Sequence, residues 1–564
     1  MATILYLDGT QVYPDSTQSI RLIRENPYFT QSETYTLDVT IPMDILENRV
    51  FFRNMHRMER SKDSSPMACR LVVDNRLLMS GSAKVTQVKE REIKVQLLGG
   101  KSEINFLARE GGEYIDQMHI GDYTVYRDGS GAVHHETTEG IRLHRGNVYS
   151  ETDGNYRVTR WISLVDLALF VIRKAGYTVV ECCVDAEPWN RLYVCTAMMT
   201  GDDRLEHCLP HWLTSEFIAE FSKFFNVTVC ADQQDKTVRI VSNEAFFTGR
   251  ERTGLDPVDE YLAEIASDDE GKEEPLANAN IAFSMSGSAS HDYDCIDENV
   301  RKGMMRKTYA TETAARDAWG AMAATERRKY AFCTPTGTFA SWVDYDDEGN
   351  ERGEDYVAID LFAPLVRDGG NDSQTELKIV PVAINSELKW SWGGTPTSTR
   401  MPMPSMENPT GDETQDRQGE DEGDGDAITL QDYIEGNASI ESAGKEDRMQ
   451  VCFIGRNGTT AFTDQVYKSP YSDGVPSGSW SLSLNPVDRS HYLGQLHRNS
   501  FSFNTRARQA FHFLSDLMPD PSSVFVIRGK MYGCEKIEAT ITADGMDRYM
   551  TGYFYEMLEN PLVP

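Results

Sequence analysis

Between Trp212 and Val241 the apolar positions change period once. Phe217, Phe221, Phe224 and Phe225 recur at helical spacing and share one face, opposed by Glu216, Glu220 and Lys223. The Thr214 hydroxyl is expected to cap the start of this helix. Asn226, a residue that tolerates left-handed backbone, is expected to end it. Residues 227–230 and 237–241 then alternate at period two around a polar turn at 232–235. The spacing predicts helix, strand, turn, strand, with an aromatic helix face that needs a partner.

The same plan occurs 51 residues earlier, where Trp161 matches Trp212, Ser163 matches Thr214, and Phe170 matches Phe221. Gly176 stands in the place of Asn226. This helix is apolar nearly all round, so burial on several sides is expected. Arg173 and Lys174 suit the negative end of its dipole. The paired tryptophans favour duplication over chance.

Elsewhere alternation at period two dominates. Residues 2–108 read as all-β, with strands at 3–7, 35–41, 70–73, 76–79, 83–88 and 93–98 and a two-residue turn at Asp74-Asn75. Residues 123–126 and 141–144 are further strands. After the duplicated region, 257–267 reads as a short helix and 277–286 as a strand. Residues 311–330 read as an Ala-rich helix with Arg327, Arg328 and Lys329 in its last turn. Residues 339–343, 356–362 and 377–384 read as strands.

The end of the chain echoes its start. Residues 524–532, turning at Arg528-Gly529, repeat the hairpin of 70–79. Residues 537–542 and 548–554 repeat 83–88 and 93–98, and 480–484 repeats 35–39. The fold class is α+β, β-rich and multidomain. The expected divisions are a β module at 1–108, a β extension at 109–155, and the duplicated helix–strand domain at 156–243. A mixed α/β domain at 244–403, an acidic flexible loop at 404–426 and a second β module at 427–564 follow.

Composition narrows the function. The net charge of −32 argues against a protein that grips nucleic acid, since phosphate contacts need clustered Lys and Arg. Mean hydropathy is −0.48, and no run approaches the roughly 20 apolar residues of a membrane span. The first residues lack the basic start of a signal peptide, so synthesis in a cytoplasm is expected. The ten cysteines form no CxxC, which leaves a zinc ribbon or redox motif unsupported.

Candidate chemistry is sparse. Asp344, Asp346, Glu348, Gly349 and Asp355 have the spacing of a calcium loop, but their flanks read as strands, and a solvated hairpin tip explains them better. His134, His135 and Glu136, and His207, Cys208 and His211, are incomplete ligand sets. Trp390 and Trp392 suit a carbohydrate surface or a core strand equally. No nucleophile elbow, phosphate loop or HExxH occurs. No catalytic, cofactor-binding or metal-binding residue is assigned, and no enzyme is required.

The β-rich start, the Trp-Ile-Ser and Trp-Leu-Thr helix–strand units and the closing Val-Ile-Arg-Gly-Lys-Met-Tyr hairpin together resemble the bacteriophage tail hub, or baseplate hub, family. The resemblance implies a structural virion protein at the tail tip, a homotrimer in which each chain carries two tube-like β modules. It implies contacts with a hexameric distal tail or tail tube protein, a tape measure protein, and tail fibre or spike proteins. DNA would pass through during ejection without specific binding. Nothing follows the second module, so no fused lytic or fibre domain is expected. Asp38, Asp74, Glu90, Glu535 and Glu538 are the expected acidic lining of the trimer axis. The rival readings are a tail-associated cell-wall-degrading enzyme, a spike-type hub of a contractile injection system, and a carbohydrate-binding surface protein.

Residues 405–426 hold nine carboxylates against one arginine, a net charge of −8, with almost nothing apolar to bury. Deleting them should leave the melting temperature nearly unchanged. A large fall on thermal denaturation would show that the segment packs.

Overall fold

The computed structural model describes residues 3–110, 114–149, 156–194, 205–258, 262–265, 280–284, 304–358, 374–381, 448–455, 466–468, 480–484 and 491–559, with short interruptions, and a few two-residue pairs between 384 and 402. The acidic segment 405–426 lies outside these residues, as does Trp392.

The first hairpin forms where the pattern places it. Met67–Val73 pairs with Arg76–Val88, and Asp74 (φ 52) and Asn75 (φ 58) adopt the left-handed backbone of the turn that matches strand twist. Residues 76–79 and 83–88 are one strand of 13 residues, not two. Val524–Ile527 and Lys530–Thr542 repeat the arrangement around Arg528 (φ 50) and Gly529 (φ 83), again with a long strand of 13 residues. Glu92–Gly99 pairs with the first long strand and Tyr549–Glu559 with the second. The strand beside Tyr549–Glu559 is Phe501–Leu514. The expected counterpart at 480–484 supplies only Trp480–Ser481, which pairs with His491–Tyr492. That correspondence is corrected.

Both hairpin units belong to one 15-stranded sheet. Ile20–Glu25, a strand not anticipated, pairs with Lys530–Thr542 on one side and Thr34–Thr36 on the other. The sheet curls, so that Thr3 donates to the Thr542 carbonyl (2.6 Å) and Met546 N–H donates to Asp74 (3.3 Å). A single core fills the concave side, with Leu5, Leu71 and Val95 from the start of the chain beside Ile537, Ile541 and Phe554 from its end. The expected helix at 257–267 is instead the strand Leu262–Ile265 at one end of this sheet. Four residues, Leu-Ala-Glu-Ile, are too few to distinguish the two periods. At the other end lies Thr10–Val12, beside the short helix Leu46–Phe51.

The two helix–strand units pack together in a second core. Leu164–Lys174 is capped by Ser163, whose hydroxyl accepts from Asp166 N–H. Thr214–Phe225 ends at Asn226 (φ 52), as expected. Its start differs: Leu213 is the cap residue, and Thr214 is already helical and makes no capping bond. All four phenylalanines are buried, and Trp161 and Trp212 are fully covered. Thr178–Cys182 runs parallel to Thr237–Ser242, whose other neighbour is Val227–Asp232. This core also packs on an eight-stranded sheet in which Met449–Gly455 pairs with Leu192–Val194, far from the C-terminal hairpin. The expected helix at 311–330 is broken into Glu312–Ala321 and Ala324–Arg327.

Asn48 pins the end of the large sheet. Its side chain accepts from Tyr13 N–H (2.9 Å) and donates to the carbonyls of Tyr13 (2.9 Å) and Pro42 (2.9 Å), with no exposure to solvent. Asn48→Ala strands these backbone groups in a buried site and should cost on the order of 2 kcal/mol. Denaturant unfolding measures it; a change below about 0.5 kcal/mol would mean that water replaces the amide.

Candidate functional site

The face of the large sheet turned away from its core carries polar side chains from both ends of the chain. Residues opposite one another in an antiparallel ladder share a face. Arg508 faces Glu264 on one side and Tyr555 on the other, Tyr553 faces Lys536, and Glu538 lies beside Arg21. The result is a row of alternating charge. Arg508 reaches Glu264 (3.1 Å) and holds Glu535 with two nitrogens (2.7 and 3.2 Å). The Tyr553 ring lies between Arg508 (4.2 Å) and Lys536 (4.6 Å), a cation–π contact on each side. Lys536 (2.9 Å) and Arg21 both bind Glu538. Burial pushes the Glu538 carboxyl up, but these two cations prevail and hold it below its ordinary range.

The five expected axis residues fall in two groups. Asp38 accepts from Thr86 (2.8 Å) and lies 3.9 Å from Lys94, while Glu535 and Glu538 are paired as above. Asp74 and Glu90 sit at turns between strands, at the rim of the face. Three of the five carboxylates, Asp38, Glu535 and Glu538, thus have cations near them on the sheet face. Sequence reasoning found the carboxylates and missed the cations, because the partners come from strands remote in the chain.

A second polar cluster joins this sheet to the helix–strand core. The strand Glu92–Gly99 runs through Gly100 (φ 59) into the helix Lys101–Glu110. From that first turn the buried Glu103 accepts from Ser82 (2.7 Å) and Tyr177 (2.6 Å) and pairs with Lys236, whose ammonium also lies over the Tyr177 ring. Burial and the Glu103 charge push the Tyr177 hydroxyl far up. Glu33 accepts from Lys101 N–H (2.8 Å), and Gln233 donates to Thr34 (2.7 Å). Loss of water pushes Glu33 up to about 7 and the Lys101 ammonium down to about 8.

The remaining candidates do not converge. His135 contacts the Tyr123 hydroxyl, whereas His211 stacks on Tyr114 and lies 3.0 Å from Asp116. The side chains of His134, His207 and Cys208 lie outside the described residues, as do those of Trp390 and Trp392. In the 344–355 hairpin, Asp346 accepts from the backbone of Glu348 (3.1 Å) and Asn350 (2.7 Å), while Asp355 is the backbone register partner of Trp342, away from the hairpin tip. Among the described residues no group of three or more His, Cys, Asp or Glu is arranged to hold a metal ion.

No family model matches the sequence, and no curated protein does. The chain is similar to the solved structure of the 43 kDa tail protein of prophage MuSo2 from Shewanella oneidensis, at 8% identity and a TM-score of 0.35, covering 98% of this chain and 97% of that one. It is similar to a tail protein from Neisseria meningitidis MC58 at 7% identity and a TM-score of 0.32, covering 98% and 96%. Likeness at this level assigns no role.

A carboxyl whose pKa is raised on folding binds a proton more tightly in the native state. Its ionisation therefore removes stability as pH rises from its unfolded value, near 4.5, through about 7. Glu33→Gln should gain stability relative to the wild type between pH 5 and pH 8. Melting curves at both values check this, and a constant difference would contradict it.

Proposed function

We propose that three copies of this chain form the hub of a phage tail tip, a structural ring that closes or extends the tail tube and lets the genome pass during ejection. The observation that carries this reading is the one continuous sheet built from both ends of the chain. It contains the hairpin-plus-strand unit twice, so three chains offer six such units around an axis, the number a six-fold ring partner requires. In this reading the part of the charge-balanced face around Arg21, Lys536 and Glu538 lines the passage. Phosphates that meet it find Arg21 and Lys536 already engaged with Glu538, and counterion release offers little gain. The ring protein above, the tape measure protein and fibre or spike proteins are the proposed partners, and the tail tip of the virion is the proposed location. The role is assembly and conduction, without catalysis.

Native mass measurement of the purified chain should give a homotrimer, and negative-stain images should show a ring with a central opening. Duplex DNA should not bind measurably at physiological salt. A stable monomer in the presence of its tail partners, or micromolar salt-sensitive DNA binding, would overturn the reading.

A further inference from the structure

The two ends of the large sheet carry opposite charge and exposed apolar side chains. At one end, residues 46–62 hold Arg49, Arg53, Arg57, Arg60 and Lys62 against Glu47 and Glu59, a local excess of three positive charges in a chain of −32. Asn48 fixes this segment to the chain just beyond the terminal strand Thr10–Val12. Lys62 folds it back by donating to the carbonyls of Met55 (2.5 Å) and Arg57 (2.6 Å). The segment is thus ordered, yet Met58 is 96% exposed, Val50 68% and Leu46 63%. Leu46 and Val50 are four residues apart on one helical turn and point the same way.

At the opposite end, the terminal strand Leu262–Ile265 has Phe501–Leu514 as its only strand partner among the described residues. Leu262 (60% exposed) and Leu514 (57%) lie on its convex face near Tyr549, the register partner of Leu514. Val258 joins them through its N–H bond to His512 (3.0 Å). Asp256, Asp516 and Asp547 surround this corner in exposed positions. Its two arginines are engaged locally, Arg548 with Asp516 (2.7 Å) and Arg508 with Glu264 and Glu535.

We infer that these two ends are the halves of one head-to-tail contact: the 46–62 segment of one copy docks on the Leu262–Leu514 corner of the next. The occupant is a second copy of this chain for two reasons. The charges are complementary within a single sequence, and a contact between two different patches of identical chains closes into a ring when the rotation allows. Exposed Met with a rim of Arg is also the composition that protein interfaces favour, while like-charged copies would otherwise repel. This inference rests on the trimer reading and names its interface.

The test is the association of the full chain, read by analytical ultracentrifugation at several salt concentrations. Arg53→Glu with Arg57→Glu should weaken association at least tenfold, and Met58→Asp should do likewise. The substituted side chains are exposed, so an unchanged melting temperature verifies folding. Adding Asp256→Arg and Asp547→Arg to the arginine variant should restore association, which a general loss of solubility or folding would not. A trimer whose dissociation is unchanged in these variants overturns this interface and leaves the trimer reading standing. A wild type that remains monomeric overturns both. Loss of binding to duplex DNA or to anionic lipid vesicles, with assembly intact, would reassign the basic segment to that ligand and overturn the inference.

Discussion

The large sheet depends on the pairing of Ile20–Glu25 with Lys530–Thr542. Each hairpin unit alone is a one-sided antiparallel sheet with an uncovered apolar face. The six register pairs from Ile20–Ile541 to Glu25–Lys536 fuse them, and the curl of the fused sheet covers one core with both sets of side chains. The closing bonds from Thr3 to Thr542 and from Met546 to Asp74 follow from that curl. Remove the central pairing and the two ends of the chain lose their common interior.

Charge is handled differently on the two sides of this sheet. On the outer face the cations and carboxylates alternate in half-buried pairs, with Glu538 covered by Lys536 and Arg21, and together they leave no concentrated field. At the joint with the helix–strand core the groups are enclosed, and an unpaired member would be costly. Glu103 satisfies this by taking three donors from three separate segments, Ser82, Tyr177 and Lys236. The joint therefore fixes the orientation of the sheet against the core more firmly than apolar contact alone, which slides.

What was legible in the sequence was local. The hairpins at Asp74-Asn75 and Arg528-Gly529, the phenylalanine face of Thr214–Phe225 and its Asn226 terminus all depend on residues within a turn or two. The helix start was misread because Thr214 offers the right hydroxyl one position too late, while the extended Leu213 takes the cap position. Ile20–Glu25 escaped notice because Arg21, Arg24 and Glu25 disguise a short apolar strand, and its reason for existing lies at the far end of the chain. The polar face was half legible for the same reason: carboxylates are visible one at a time, but Arg508 beside Glu264, or Lys236 beside Glu103, is a product of topology.

The distance between the ends also sets an order in time. Arg21 and Glu538 are separated by 517 positions. At about 5–20 residues per second, a ribosome takes on the order of a minute to deliver the second after the first. Throughout that interval the N-terminal hairpin unit stands beside the nascent chain with the edge of Ile20–Glu25 unpaired. An uncharged edge would invite the neighbouring polysome product. Arg21, Arg24 and Glu25, which disguise the strand from a reader, are the same residues that discourage a wrong partner until the right one is made.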